Sequence, residues 1–159
     1  MFQKSVQRIA ATAPVASLLS KTLHHLDRAV YRWTKQRYTA TSWLGGLPML
    51  TLTTVGAKSG QPRSVPLIGI PDGDAFILIA SNWGKATHPA WYHNIMANPA
   101  VIIQINGRSA PYTARELTGS ERERCWKLAI ATYVGYTHYV ERAGSRQIPV
   151  IQLVPTHQN

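Results

Sequence analysis

Apolar residues recur in two different rhythms along this chain. From residue 47 onward they come in short runs separated by turn-forming residues, the pattern of strands. The runs at 49–55, 64–70, 75–80, 101–106, 110–117 and 149–154 predict six strands. Pro71-Asp72-Gly73-Asp74 predicts a hairpin between the second and third, and Gly107 one between the fourth and fifth. Two helical inserts interrupt the strands. One spans 89–97, with Pro89 in its first turn and Asn98-Pro99 as its stop. The other is capped by Thr118 or Ser120, with Glu121 and Glu123 in its first turn. Residues 1–46 follow the second rhythm. Leu19, Leu23, Leu26, Val30 and Trp33 fall on one face of a helix. The whole reads as mainly β with helices (α+β). It is a six-stranded antiparallel split β-barrel over 47–159, preceded by an amphipathic helical arm over 1–46.

Charge changes that picture. Lys and Arg number 17 against 7 acidic residues, for a formal net charge of +10. Such a surface attracts an anionic membrane, an anionic cofactor or a nucleic acid. The arm holds Lys4, Arg8, Lys21, Arg28, Arg32, Lys35 and Arg37 against Asp27 alone. It can pack on the barrel or on a second subunit, or lie on an anionic membrane. The basic residues are spread and carry no nucleic-acid motif, so nucleic acid is not an expected partner. No apolar run is long enough to span a bilayer, and the opening residues make a poor secretory signal, broken by Thr12 and Pro14. A single cysteine, Cys125, excludes an internal disulfide and fits a cytoplasmic setting. No metal site is expected: His88 and His93 are badly spaced for one helix face and lack a carboxylate or thiolate companion. Neither a nucleophilic triad nor a dinucleotide fingerprint is present.

Three segments can carry chemistry. Gly56-Ala57-Lys58-Ser59-Gly60-Gln61-Pro62-Arg63 is a turn flanked by cations. It is either a solvated hairpin or an anion cradle in which backbone N–H groups, Lys58 and Arg63 converge. Ala80-Ser81-Asn82-Trp83-Gly84-Lys85 leads into the helix carrying Trp91 and Asn94. There the indoles are either core residues or flat walls for a ring beside a helix N-terminus. Tyr133, Tyr136 and Tyr139, three apart, are either amphipathic packing or an aromatic wall with proton-donating hydroxyls on one helical face.

In these motifs the chain resembles the deazaflavin (F420)-dependent nitroreductase family, within the split β-barrel flavin and deazaflavin oxidoreductases. Residues 52–63 are similar to that family's phosphate-proximal turn, and Ala80-Ser81-Asn82-Trp83-Gly84 with 88–94 and Ala97-Asn98-Pro99 to its second signature. The resemblance implies coenzyme F420, a hydride carrier with a phosphate and an oligoglutamate tail. It implies an F420H2-dependent oxidoreductase acting on an electron-poor acceptor: a quinone, an activated alkene or a nitroaromatic. Lys58, Ser59, Gln61, Pro62 and Arg63 would hold phosphate and tail, and Ser81, Asn82, Trp83, Trp91 and Asn94 would surround the ring. Ile68, Tyr133, Tyr136 and Tyr139 would line the acceptor pocket, with Tyr133, Tyr136 and Ser81 as the catalytic group. Ile68 stands where some relatives carry Tyr, which removes a polar contact to substrate, and Asn82 where some carry Lys. FMN on the same barrel and a non-catalytic lipid or small-ligand carrier are the alternatives. A homodimer, and peripheral placement at the inner face of the cell membrane, are further expectations.

Overall fold

The computed structural model describes residues 46–156. The helical arm and its membrane reading lie outside the described residues. The elements run β1 (Met49–Val55), β2 (Pro62–Ile68), β3 (Ile70–Asp72), β4 (Ala75–Ile79), a single 3-10 turn (Asn82–Gly84), α1 (Ala90–Ala97), β5 (Ala100–Ile105), β6 (Arg108–Glu116), α2 (Gly119–Thr132), α3 (Gly135–Ala143) and β7 (Val150–Pro155).

All strands join one antiparallel sheet in the order β2-β1-β5-β6-β7-β4-β3. Its two edge strands, β2 and β3, are consecutive in the chain and separated only by Gly69. The sheet therefore curls into a half-barrel. The reading of 64–70 as one strand hairpinned to 75–80 needs correction: seven strands form among the described residues, because the run divides at Gly69. Pro62–Ile68 pairs along its length with β1, and only Ile70–Asp72 pairs with β4. Gly69 permits this because its Cα lies against the Leu50 side chain, where any Cβ would collide, and its amide donates to the Pro48 carbonyl at 2.9 Å.

Strand β4 explains why its sequence is apolar without alternation. Ile77 and Ile79 face one buried cluster, with Leu117, Cys125, Ala129, Val150 and the three tyrosines. Leu78 and the following Ala80 face a second, with Leu50, Leu52, Trp91, Ile95, Val101, Ile103, Ile151 and Leu153. Successive strand residues point to opposite faces, so a strand covered on both sides is apolar throughout. Helix α1 closes one cluster with Trp91 and Ile95; α2 and α3 close the other. The second helical insert is itself divided. Tyr133 is extended (φ −143°, ψ 104°) and ends α2 before α3 starts at Gly135. The expectation of three tyrosines on one helical face is thereby corrected: only Tyr136 and Tyr139 are on a helix.

Candidate active site

The turn between β1 and β2 is shaped by its own backbone. Gly56 N donates to the Gln61 carbonyl at 2.9 Å and Gly60 N to the Gly56 carbonyl at 2.8 Å, with Gly60 in the left-handed region (φ 65°). The Ser59 hydroxyl accepts from Gln61 N at 3.3 Å and from Arg63 Nη2 at 3.4 Å. Lys58, Ser59, Gln61, Pro62 and Arg63 are all exposed. Neither Lys58 nor Arg63 has a carboxylate partner among the described residues, whereas Arg115 and Arg124 are each in bidentate contact, with Glu121 and Asp72. Like Lys58 and Arg63, the exposed Lys85 lacks an acidic partner among the described residues.

Asn94 joins this turn to α1. Its Oδ1 accepts from Ala57 N at 3.0 Å, and its Nδ2 donates to the buried Thr54 Oγ1 at 3.0 Å. Both ends of the amide are thus used to hold the turn rather than left open. Trp91 is buried among aliphatic side chains, the core alternative of the two raised for it by sequence.

The segment entering α1 has an unusual backbone. Asn82 (φ 49°), Trp83 (φ 61°) and Gly84 (φ 76°) are consecutive left-handed residues. For the two non-glycine residues this costs on the order of 1–2 kcal/mol each, and it persists only when the surroundings impose it. Asn82 Nδ2 donates to the Thr87 carbonyl at 2.9 Å, Gly84 N to the Ser81 carbonyl at 3.0 Å and Lys85 N to the Asn82 carbonyl at 3.0 Å. Gly84 is seated on α3: a Cβ there would sit 2.8 Å from Arg142 Cβ and 3.0 Å from the Tyr139 carbonyl. Ser81 is buried at the start of this turn.

Trp83 and Tyr139 pack edge-to-face, ring centroids 6.1 Å apart. Ile68 and Trp83 border the cluster that holds Tyr133, Tyr136 and Tyr139. The fold therefore brings together every expected acceptor-pocket residue, with one expected ring-site residue among them. Tyr133 and Tyr136 meet edge-to-face at 5.2 Å, and the Tyr133 and Tyr139 hydroxyls are 3.2 Å apart. Burial pushes all three phenols upward, so they stay protonated at neutral pH. Tyr133 lies against Gly135, where a Cβ would strike its ring.

Two residues to which the sequence assigned no individual role take part. Arg146, in the loop after α3, reaches the carbonyls of Ala80, Ser81 and Lys85 and the Nδ1 of His88. Thr54 anchors Asn94. Nothing in the periodicity marks Arg146, which stands in a polar loop; Thr54 looks like any strand threonine. No helix among the described residues is long and apolar enough to cross a membrane.

Comparison with known proteins gives the family. The family model described as F420H(2)-dependent quinone reductase matches residues 25–155. An F420H(2)-dependent quinone reductase of Mycobacterium tuberculosis is 37% identical over 134 residues, 82% of this chain and 89% of the relative. The solved structure of an F420-H2 dependent reductase, FDR-A, superposes with a TM-score of 0.62 at 43% identity, over 67% of this chain and 93% of its own. A solved domain-swapped dimer gives 0.64 at 35% identity, over 89% and 99%. The matched span contains the cation-flanked turn, the left-handed segment and the tyrosine cluster, and with it the chain belongs to the F420H(2)-dependent quinone reductase family of F420H2-dependent oxidoreductases.

Proposed function

We propose that this enzyme uses reduced coenzyme F420 to reduce a quinone, with the coenzyme's anionic end at the 56–63 turn and the acceptor against the tyrosine cluster. The observation that carries this reading is the pair of exposed cations, Lys58 and Arg63. They flank an internally braced turn and find no acidic partner among the described residues. Such a turn fits a phosphate and oligoglutamate tail, because cations left without carboxylates meet an incoming anion at no cost in broken ion pairs. When bound, the coenzyme supplies the two electrons as hydride.

The chain's own residues do the rest. Lys58, Ser59, Gln61 and Arg63 bind the charged end, and Pro62 fixes the strand entry. Asn94 contributes by holding the turn in shape from α1. Ser81, just before the left-handed segment, and Asn82 and Trp83 on it border the ring. Ile68 and the three tyrosines give the acceptor a largely apolar, water-excluding wall, and placing two reactants there converts binding into orientation. The Tyr133 and Tyr139 hydroxyls, 3.2 Å apart, form a hydrogen-bonded pair that can donate a hydrogen bond to the acceptor oxygen. With Ile68 rather than a phenol on the β2 side, the pocket suits an apolar ring system.

Titration with oxidised F420, and separately with FMN, followed by tryptophan fluorescence, tests the cofactor end. F420 binding that collapses in Lys58→Ala/Arg63→Ala is expected, and equal or tighter FMN binding would overturn it. Turnover with a soluble quinone, compared with an activated alkene and a nitroaromatic, tests the acceptor; the quinone is expected to give the highest kcat/KM.

The arm, outside the described residues, is proposed to hold the enzyme at an anionic membrane surface on the cytoplasmic side, where apolar quinones dissolve. Its one-sided charge supports that reading. Flotation with anionic vesicles should recover the full chain and lose a chain shortened by 45 residues. Size-exclusion with light scattering on the same pair reads the alternative, an arm that packs on a second copy.

A further inference from the structure

We infer that Arg146 is a positioning residue of the redox site: it locks the left-handed segment 82–84, and thereby fixes where Trp83 stands between the coenzyme and acceptor pockets. In its functional half this rests on the reading above.

Three consecutive left-handed residues, two of them not glycine, do not hold themselves. Their own hydrogen bonds, Gly84 N to Ser81, Lys85 N to Asn82 and the Asn82 side chain to Thr87, reach no further than residues 81–87. What imposes the conformation comes from a sequence-distant loop. Arg146 Nη2 donates to the Ser81 carbonyl at 2.6 Å, Nη1 to the Ala80 carbonyl at 3.2 Å and Nε to the Lys85 carbonyl at 2.9 Å. The guanidinium thus spans the segment from the residues before it to the residue after it. Nη1 also lies 3.3 Å from His88 Nδ1. A guanidinium has no lone pair to offer, so this nitrogen must accept and His88 carries its proton on Nε2.

The clamp is itself braced. Gly144 turns the chain back with φ 62°, and Arg146 N donates to the Ala143 carbonyl at 3.2 Å. Gly84 rests on the same helix, against Arg142 Cβ and the Tyr139 carbonyl. One side of the segment is therefore seated on the helix that bears Tyr136 and Tyr139, and the other is tied to the turn that ends it. No acidic side chain pairs with Arg146 among the described residues. Its planar fork matches three carbonyls at different angles, which the single ammonium of lysine cannot do.

Two readouts test this, one of them free of coenzyme. In the cofactor-free protein, Arg146→Ala should speed amide hydrogen exchange at Gly84 and Lys85 by roughly tenfold or more. Exchange in β1 and β5 should stay within about twofold; equal acceleration everywhere would mean a merely structural role and overturn the inference. F420 affinity, read on tryptophan fluorescence, should fall by roughly tenfold. Arg146→Lys should reproduce both effects, and millimolar guanidinium, but not sodium, should restore Arg146→Ala. Should Arg146→Ala fail to fold, Arg146→Lys decides alone: wild-type exchange and affinity in that variant refute the clamp. If the wild type binds no F420, the cofactor reading fails, while the exchange result still judges the clamp.

Discussion

Replacing Asn94 by leucine, close to it in size but unable to hydrogen-bond, isolates the link between α1 and the cationic turn. Two bonds disappear: Ala57 N to Oδ1 and Nδ2 to Thr54 Oγ1, both 3.0 Å. They are not equal. Ala57 lies in the exposed turn, so water replaces the lost acceptor and the cost is about 0.5 kcal/mol. Thr54 is only 2% exposed and keeps just a long 3.4 Å contact to the Arg63 carbonyl. Stranding its hydroxyl costs about 1–3 kcal/mol. The sum, about 1.5–3.5 kcal/mol, should lower the urea midpoint by about 1–2 M at an m-value of about 1.5–2 kcal/mol/M. The turn is then no longer held ready, so F420 affinity should drop by roughly tenfold or more. Urea unfolding followed by circular dichroism and fluorescence titration measure the two effects. A variant within about 0.5 kcal/mol of wild type, binding F420 normally, would show that the turn shapes itself and that the reasoning is wrong.

Lys58→Ala/Arg63→Ala should leave the melting temperature unchanged, since both side chains are exposed and free of ion pairs among the described residues, while F420 binding falls steeply and loses its salt dependence; calorimetry and a salt titration check both. Gly69→Ala should be strongly destabilising, because the new methyl occupies the space of the Leu50 side chain at the bend that joins β2 to β3; thermal unfolding of this variant beside Gly73→Ala, where a Cβ meets open space, separates the clash from backbone effects. His88 is held below the ordinary histidine value, chiefly by burial, then by Arg146 and His93, with Glu116 opposing and the Tyr92 ring tilted against it. The unfolded chain therefore takes up this proton more readily than the folded one. The contribution is fully present above about pH 6.5 and is lost as pH falls below it. Urea unfolding at pH 5 and pH 8 should show a smaller difference for His88→Asn than for wild type.

The local alphabet of the fold was readable because strands and helices leave different spacings. The apolar runs other than 64–70, the Gly73 and Gly107 turns and the stop at Asn98-Pro99 lie where pattern and turn chemistry place them. The family was readable too, from the 52–63 and 80–94 motifs. Periodicity could not reveal that 64–70 is two strands, since Gly69 acts through the Leu50 side chain of another strand. Nor could it reveal that Tyr133 leaves the helix yet still touches Tyr139. The roles of Asn94, Thr54 and Arg146 depend on partners 37 to 66 residues away in the chain. Sequence by itself determined which residues could bind an anion, face a ring or hold a proton, because those are properties of side chains and local backbone. Only the tertiary structure decided which of them shape the site, because a hydrogen bond between distant segments exists only once the sheet has curled and brought its ends together.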